Sequence, residues 1–169
     1  LEETAEGIKV LARKEENNEG LVEADGLIGG LMRVMGRDEE GFMKAREQAV
    51  MAIGNIAHGG DDEVKKGLFK HEGLIAGLVE ILGQKGSEYK VARERAVGAI
   101  MNIAFGDAEV KKGLFKHEGL IAGLVEIVGQ KGGEHKTARE CAVGAIRNIA
   151  ICDAEVKKGL FKHEGLIAG

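Results

Sequence analysis

The sequence predicts an all-α fold, a right-handed α-solenoid superhelix of stacked three-helix repeats with a period of about 46 residues. Three observations predict it. The run VKKGLFKHEGLIAGLVE fills residues 64–80 and returns letter for letter at 110–126, and its first fourteen letters appear again from Val156. Apolar residues inside each copy keep helical spacing rather than strict alternation. Proline is absent while glycine reaches 27 of the 169 residues, a composition unusual for a compact globule. Val64, Val110 and Val156 are 46 apart, which sets the period.

Within a copy the first element is a short helix over residues 64–70. Its Val64, Leu68 and Phe69 form an apolar edge against Lys65, Lys66 and Lys70. HEG at 71–73 breaks it, because glycine accepts the positive φ that ends a helix. A second helix follows, with Leu74, Ile75, Leu78, Val79 and Leu82 on one face. GQKG at 83–86 ends that helix. The third carries an apolar stripe of Ala92, Ala96, Ala99, Ile100 and Ile103, with Glu94, Gly98 and Asn102 opposite at steps of four. The expected organisation is a single solenoid over 1–169. A third-helix remnant occupies 1–16, degenerate and full units occupy 17–63, 64–109 and 110–155, and a partial unit occupies 156–169. The first full unit is one residue longer through the extra glycine in HGGDD. A start at Leu1 and a stop inside a repeat are expected of a fragment of a longer chain.

Such a unit cannot cover its own apolar faces, so each copy is expected to stack on the next around a continuous core. Gly77, Gly98, Gly123 and Gly144 each cost helix stability, about 1 kcal/mol relative to alanine in an exposed interior. Close approach of neighbouring helices is the expected reason for most of them. A partial second helix ending at Gly169 would leave its apolar stripe open, so missing chain or a partner is expected over it.

Charge and chemistry narrow the function classes. A net charge of -4 and a pI near 5.8 give no whole-molecule field for phosphate backbones, so no nucleic acid partner is expected. Cys141 and Cys152 match neither a disulfide framework nor a CxxC pair, which points to packed thiols in a reducing intracellular compartment. No apolar run approaches the ~20 residues of a membrane span. His71, His117 and His163 recur one repeat apart, too far to share a metal whose bonds are ~2 Å long, and His58 and His135 sit in loops. No metal or other cofactor is expected. Lys65, Lys66 and Lys70 and their copies look like a basic ridge that Glu63, Glu72 and their copies neutralise into a solvated outer face. No serine elbow or GxxxxGK[ST] loop is present, and Cys141 stands where Arg95 and Gln48 stand in sister copies, so no enzyme activity is expected.

EGLIAGLVEIL at 72–82 and ARERAVGAIMNIA at 92–104 resemble the second and third helices of an armadillo repeat, usually worded close to AGALPALVQLL and QEALWALSNIA. The resemblance extends over the whole chain and is to the importin-alpha and beta-catenin type of repeat. Two features depart from it. The family's helix-opening proline is Gly29, Ala76, Ala122 and Ala168 here, which leaves the bend before the second helix without its usual cause. The tryptophan of peptide-carrying members is Met51, Gly98 and Gly144.

The resemblance implies a concave groove lined by Asn55, Asn102 and Asn148, bonded to the main chain of an extended peptide. One carboxamide offers both donor and acceptor to a peptide unit. The alternative is that each asparagine caps the carbonyls of its own helix end or bonds to the next repeat. Eight residues earlier on the same face are Glu47, Glu94 and Glu140, preceded by Arg46, Arg93 and Arg139. They either make an acidic groove edge that favours a basic or mixed-charge partner, or form a solvated Arg-Glu surface. Without the tryptophan ladder a nuclear-import cargo receptor is not expected, and the smoother groove suits a helix or a bulky side chain as well. The implied function is that of a non-enzymatic adaptor binding another protein as an extended or helical segment. The alternative is a structural linker or scaffold subunit whose outer faces touch neighbouring subunits of a large complex.

Overall fold

The computed structural model describes residues 2–24 and 26–162. The second-helix start expected after residue 162, with His163 and Ala168, lies outside the described residues. The helices in chain order are α1 (Glu2–Leu11), α2 (Asn18–Glu23), α3 (Leu27–Met35), α4 (Met43–Gly59), α5 (Asp62–Lys70), α6 (Leu74–Gly83), α7 (Lys90–Ile103), α8 (Ala108–Lys116), α9 (Leu120–Val128), α10 (Lys136–Ala150) and α11 (Ala154–Phe161). No strand occurs among the described residues. After α1 the helices fall into three triples, each of a first, a second and a third helix, and α11 is a further first helix.

Like packs on like. The third helices form a row α1, α4, α7, α10, the second helices a row α3, α6, α9, and the first helices a row that includes α2, α5 and α8. The molecule is an all-α solenoid. Its core is one continuous cluster that runs from Ala12 to Leu160. The expected third-helix stripe of Ala92, Ala96, Ala99, Ile100 and Ile103 is buried within it. Alanine at three of these five positions keeps the third helices close while isoleucine fills the space behind them.

Local chemistry sets the breaks. Gly73 and Gly119 take φ of 79° and 76° ahead of the second helices, and Gly86 and Gly132 take 110° and 102° after them. This left-handed region is open to glycine and strained for other residues. The bend that proline makes in the usual repeat is made here by the glycine of HEG, so the proline-free sequence still turns.

The first helices start earlier than the expected residue 64. Asp61, Asp107 and Asp153 each accept the backbone N–H of Val64, Val110 or Val156 at 2.9 Å, and helix begins directly after each aspartate. Such a cap is worth about 0.5–2 kcal/mol. The same helices lock onto one another through glycine. Val22 packs on Gly67, the Phe69 ring on Gly113 and the Phe115 ring on Gly159, and a methyl group at any of these glycines would overlap its partner.

Ion pairs follow the same direction along the chain. Lys66 and Lys70 both reach Glu109 at 2.9 Å, and Lys112 reaches Asp153 at 2.7 Å. Of the acids expected to neutralise the lysine ridge, Glu109, the copy of Glu63, forms these pairs, and Asp153 at the N-cap of α11 is an acid the expectation did not include. Hydrogen bonding from Lys66 and Lys70 holds the Glu109 carboxyl below the usual carboxylate range, and Lys112 does the same to Asp153. These groups are open to solvent, where such pairs add little to stability.

Candidate functional site

The third-helix row positions every residue singled out for binding. Each asparagine bridges to the preceding third helix by the same hydrogen bond. Asn55 Nδ2 donates to the Lys9 carbonyl at 3.2 Å, Asn102 to Gly54 at 3.0 Å and Asn148 to Met101 at 3.3 Å. The carbonyl that accepts lies one residue before the asparagine position of the preceding helix, so the bonds form a ladder across the row. Asn55 and Asn102 are half-buried and Asn148 is buried. One amide hydrogen of each is engaged in the ladder. Among the described residues no bond reaches their Oδ1 atoms, which are also absent from the buried polar atoms without partners.

Glu47 and Glu94 are half-buried and Glu140 is exposed, 3.8 Å from Lys136. Burial pushes the Glu47 carboxyl up, and Arg95 on the next third helix pulls it partly back. The acidic edge is therefore mixed, with Arg95 set among the glutamates. Cys141, half-buried in the same region, has its thiol pushed up by burial first and then by Glu94 and Glu140. Such a thiol is a poor nucleophile at neutral pH.

The arginines correct the sequence expectation of a solvated Arg-Glu surface. Arg46 and Arg93 are buried, at 2% and 8% exposure. Arg93 donates to the Gln84 carbonyl at 2.5 Å, and Arg139 to the Gln130 and Gly132 carbonyls at 2.7 Å each. The guanidinium turns under the loop and satisfies carbonyls freed where the second helix ends. Arg46 sits with its guanidinium carbon 5.8 Å from the Tyr89 ring centroid. In each ARE triplet the arginine is structural, and only the glutamate reaches the surface row.

Glycine on this face divides in two. Gly144 lies against Met101, and Gly77 and Gly123 lie against Met35 and Leu82 on the second-helix row, as expected of packing glycines. Gly98 differs. A Cβ there would meet nothing within 4 Å, so its missing side chain leaves open space one turn before Asn102 and one turn after Glu94.

No protein-family model and no curated protein matches the sequence. Solved structures do. A designed armadillo repeat protein is 29% identical, with a TM-score of 0.80 over 95% of this chain and 63% of its own. A second designed armadillo repeat protein, in complex with the peptide (KR)4, is 29% identical with a TM-score of 0.79 over 96% of this chain and 63% of its own. An engineered protein is 26% identical, with a TM-score of 0.83 over 98% and 63% of the two chains. The chain has an armadillo-type repeat fold. It spans 63% of the length of each of these three structures.

On this armadillo-type row sequence reasoning missed two features. Arg95 was treated as a variable position, yet it is the cation between Glu47 and the following helix. Three residues past each asparagine, His58, Phe105 and Ile151 are exposed, Phe105 and Ile151 at 60% each. The available signal was a bulky apolar residue outside the buried stripe. A cavity of about 380 Å³ lined by Ala57, His58, Lys65, Asn102 and Phe105 opens there. With a rise of 1.5 Å per residue, the armadillo face therefore presents a strip roughly 12 Å wide from glutamate to asparagine, edged by an apolar lip. Among the described residues no group of three His, Cys, Asp or Glu is placed to hold a metal, and no helix is long and apolar enough to cross a membrane.

Proposed function

We propose that this chain is a non-enzymatic binding module that captures a segment of another protein along its asparagine-bearing third-helix row, within units at 17–63, 64–109 and 110–155. The asparagine ladder carries this reading. Three carboxamides held in one orientation by identical bonds are preorganised, and preorganisation lowers the ordering cost of binding. Third helices ~8–10 Å apart would present one carboxamide to about every third residue of a strand that rises ~3.3 Å per residue.

Glu47, Glu94 and Glu140 favour a basic or mixed-charge segment, and the designed armadillo protein solved with (KR)4 supports that choice. Open space at Gly98 and the lip at Phe105 suit a bulky side chain between cationic ones. The test is titration of a (KR)4 peptide and a hydrophobic-spaced basic variant into the wild-type chain and into the Asn55→Ala, Asn102→Ala, Asn148→Ala triple variant. Each lost hydrogen bond to peptide is worth about 0.5–1.5 kcal/mol, so binding should weaken by roughly ten- to a thousandfold with helicity retained. Unchanged affinity would end the groove reading.

A further inference from the structure

The two sides of the third-helix row differ in charge. Toward the helix starts it is acidic, with Glu47 on α4 and Glu94 on α7. Toward the helix ends lies the cavity of about 380 Å³ lined by Ala57, His58, Lys65, Asn102 and Phe105, none of them acidic. It is internal to the row, since α4 packs on α1 and α7, α5 on α2 and α8, and α7 on α4 and α10.

The cation in this cavity is held in place. Lys65 is half-buried, and its Nζ donates to the Gly60 carbonyl and, at 3.3 Å, to the Asp61 carbonyl. Acids close to it are committed elsewhere. The Asp61 carboxylate accepts the Val64 N–H at 2.9 Å, and Lys66 pairs with Asp107 and Glu109 at 3.7 and 2.9 Å. His58 is exposed on one wall, at a place where the copies are Phe105 and Ile151, and Phe105 is 60% exposed on the other.

Distance along the helix sorts side chains by length. Glu94 stands eight residues before Asn102 and Phe105 three after it, which is about 12 Å against about 4.5 Å at 1.5 Å per residue. A main chain bonded at Asn102 therefore meets Glu94 only through a long side chain such as lysine, while a short one reaches the cavity. Successive side chains of a strand point to opposite sides, so a strand that sends a lysine toward Glu94 sends the next residue toward Lys65.

We propose, on the footing that the third-helix row captures a protein segment, that this cavity is a carboxylate subsite taking an aspartate that adjoins a lysine or arginine of that segment. The carboxylate accepts from the Lys65 ammonium in a charge-assisted bond, and the Phe105 ring covers its stem. Because Lys65 is already fixed on two carbonyls, little side-chain freedom is lost when the aspartate arrives. The preferred segment is then alternating in charge rather than wholly basic.

Titration of two peptides that differ by one carboxylate, KNKDKNKN and KNKNKNKN, tests this. The aspartate peptide should bind about tenfold more tightly, as a hydrogen bond between charged groups allows. That preference runs against the chain's net charge of -4, which by itself favours the more cationic peptide. Lys65→Gln should abolish the preference, Lys65→Arg should keep it, and circular dichroism checks that both remain helical. The wild-type comparison needs no variant, so it decides even if Lys65→Gln loses helix. Equal or weaker binding of the aspartate peptide overturns the subsite, as does a preference that survives in a helical Lys65→Gln chain. The triple asparagine variant separates this failure from that of the row. If it loses both peptides while wild type shows no preference, the row stands and the subsite falls; if wild type binds neither peptide, both fall.

Discussion

Gly98 and Gly113 show one residue type used in opposite ways. Gly98 has open space beside it, so Gly98→Ala adds helix propensity without a clash and should stabilise the fold by about 0.5–1 kcal/mol. Gly113 lies beneath the Phe69 ring, and Gly113→Ala forces that ring off its seat. Overpacking of this kind typically costs 1–3 kcal/mol. Chemical denaturation of the two alanine variants against wild type should give shifts of opposite sign. A loss at Gly98 would mean that its side is closed by packing and unavailable to a ligand. The same comparison bears on the binding reading, because Gly98 is the place where the row offers room between Glu94 and Asn102.

Helices in this chain are set by their ends and by what the neighbouring repeat adds. Asp61 caps α5 through the Val64 N–H, and Asp61→Ala should cost about 0.5–2 kcal/mol in a denaturation midpoint, with Asp61→Asn costing much less. Between helices the acids act with two signs. Glu109 and Asp153 are held below the usual carboxylate range by Lys66, Lys70 and Lys112, so their contribution is present above an unfolded value of about 4 and is lost as pH falls below it. Glu47 is pushed up by burial, so its charged form disfavours the fold near neutrality and that penalty fades as pH falls through the raised value. Thermal melts from pH 7 downward should rise slightly before they fall below about pH 4, and Glu47→Gln should remove the early rise. A monotonic fall in wild type would show that burial does not govern Glu47. The HEG breaks that Gly73 and Gly119 make were legible in the sequence, and the caps were passed over although aspartate stands three residues before each valine at 64, 110 and 156. The buried arginines were not. Periodicity places Arg93 beside Glu94 on a helix start, and nothing in the spacing says that its side chain bends under the loop to the Gln84 carbonyl.

For the whole molecule, like-on-like stacking makes stability a matter of neighbours. The 46-residue period made the solenoid legible because a unit with apolar faces on both sides must be covered on both. Which side chain meets which across a junction was hidden, because Phe69 and Gly113 lie one repeat apart and only the stacking register joins them. In such a rod the middle helices have neighbours on both sides, and the end helices have one. Amides of α4 and α7, which pack on third helices in both directions, should therefore exchange with solvent slowest. Those of α2 and α11 should exchange faster by roughly tenfold or more, since opening them breaks a single junction. Native-state hydrogen exchange read by mass spectrometry measures this directly. Uniform rates from end to end would mean that the rod unfolds as one block and that junctions do not act separately.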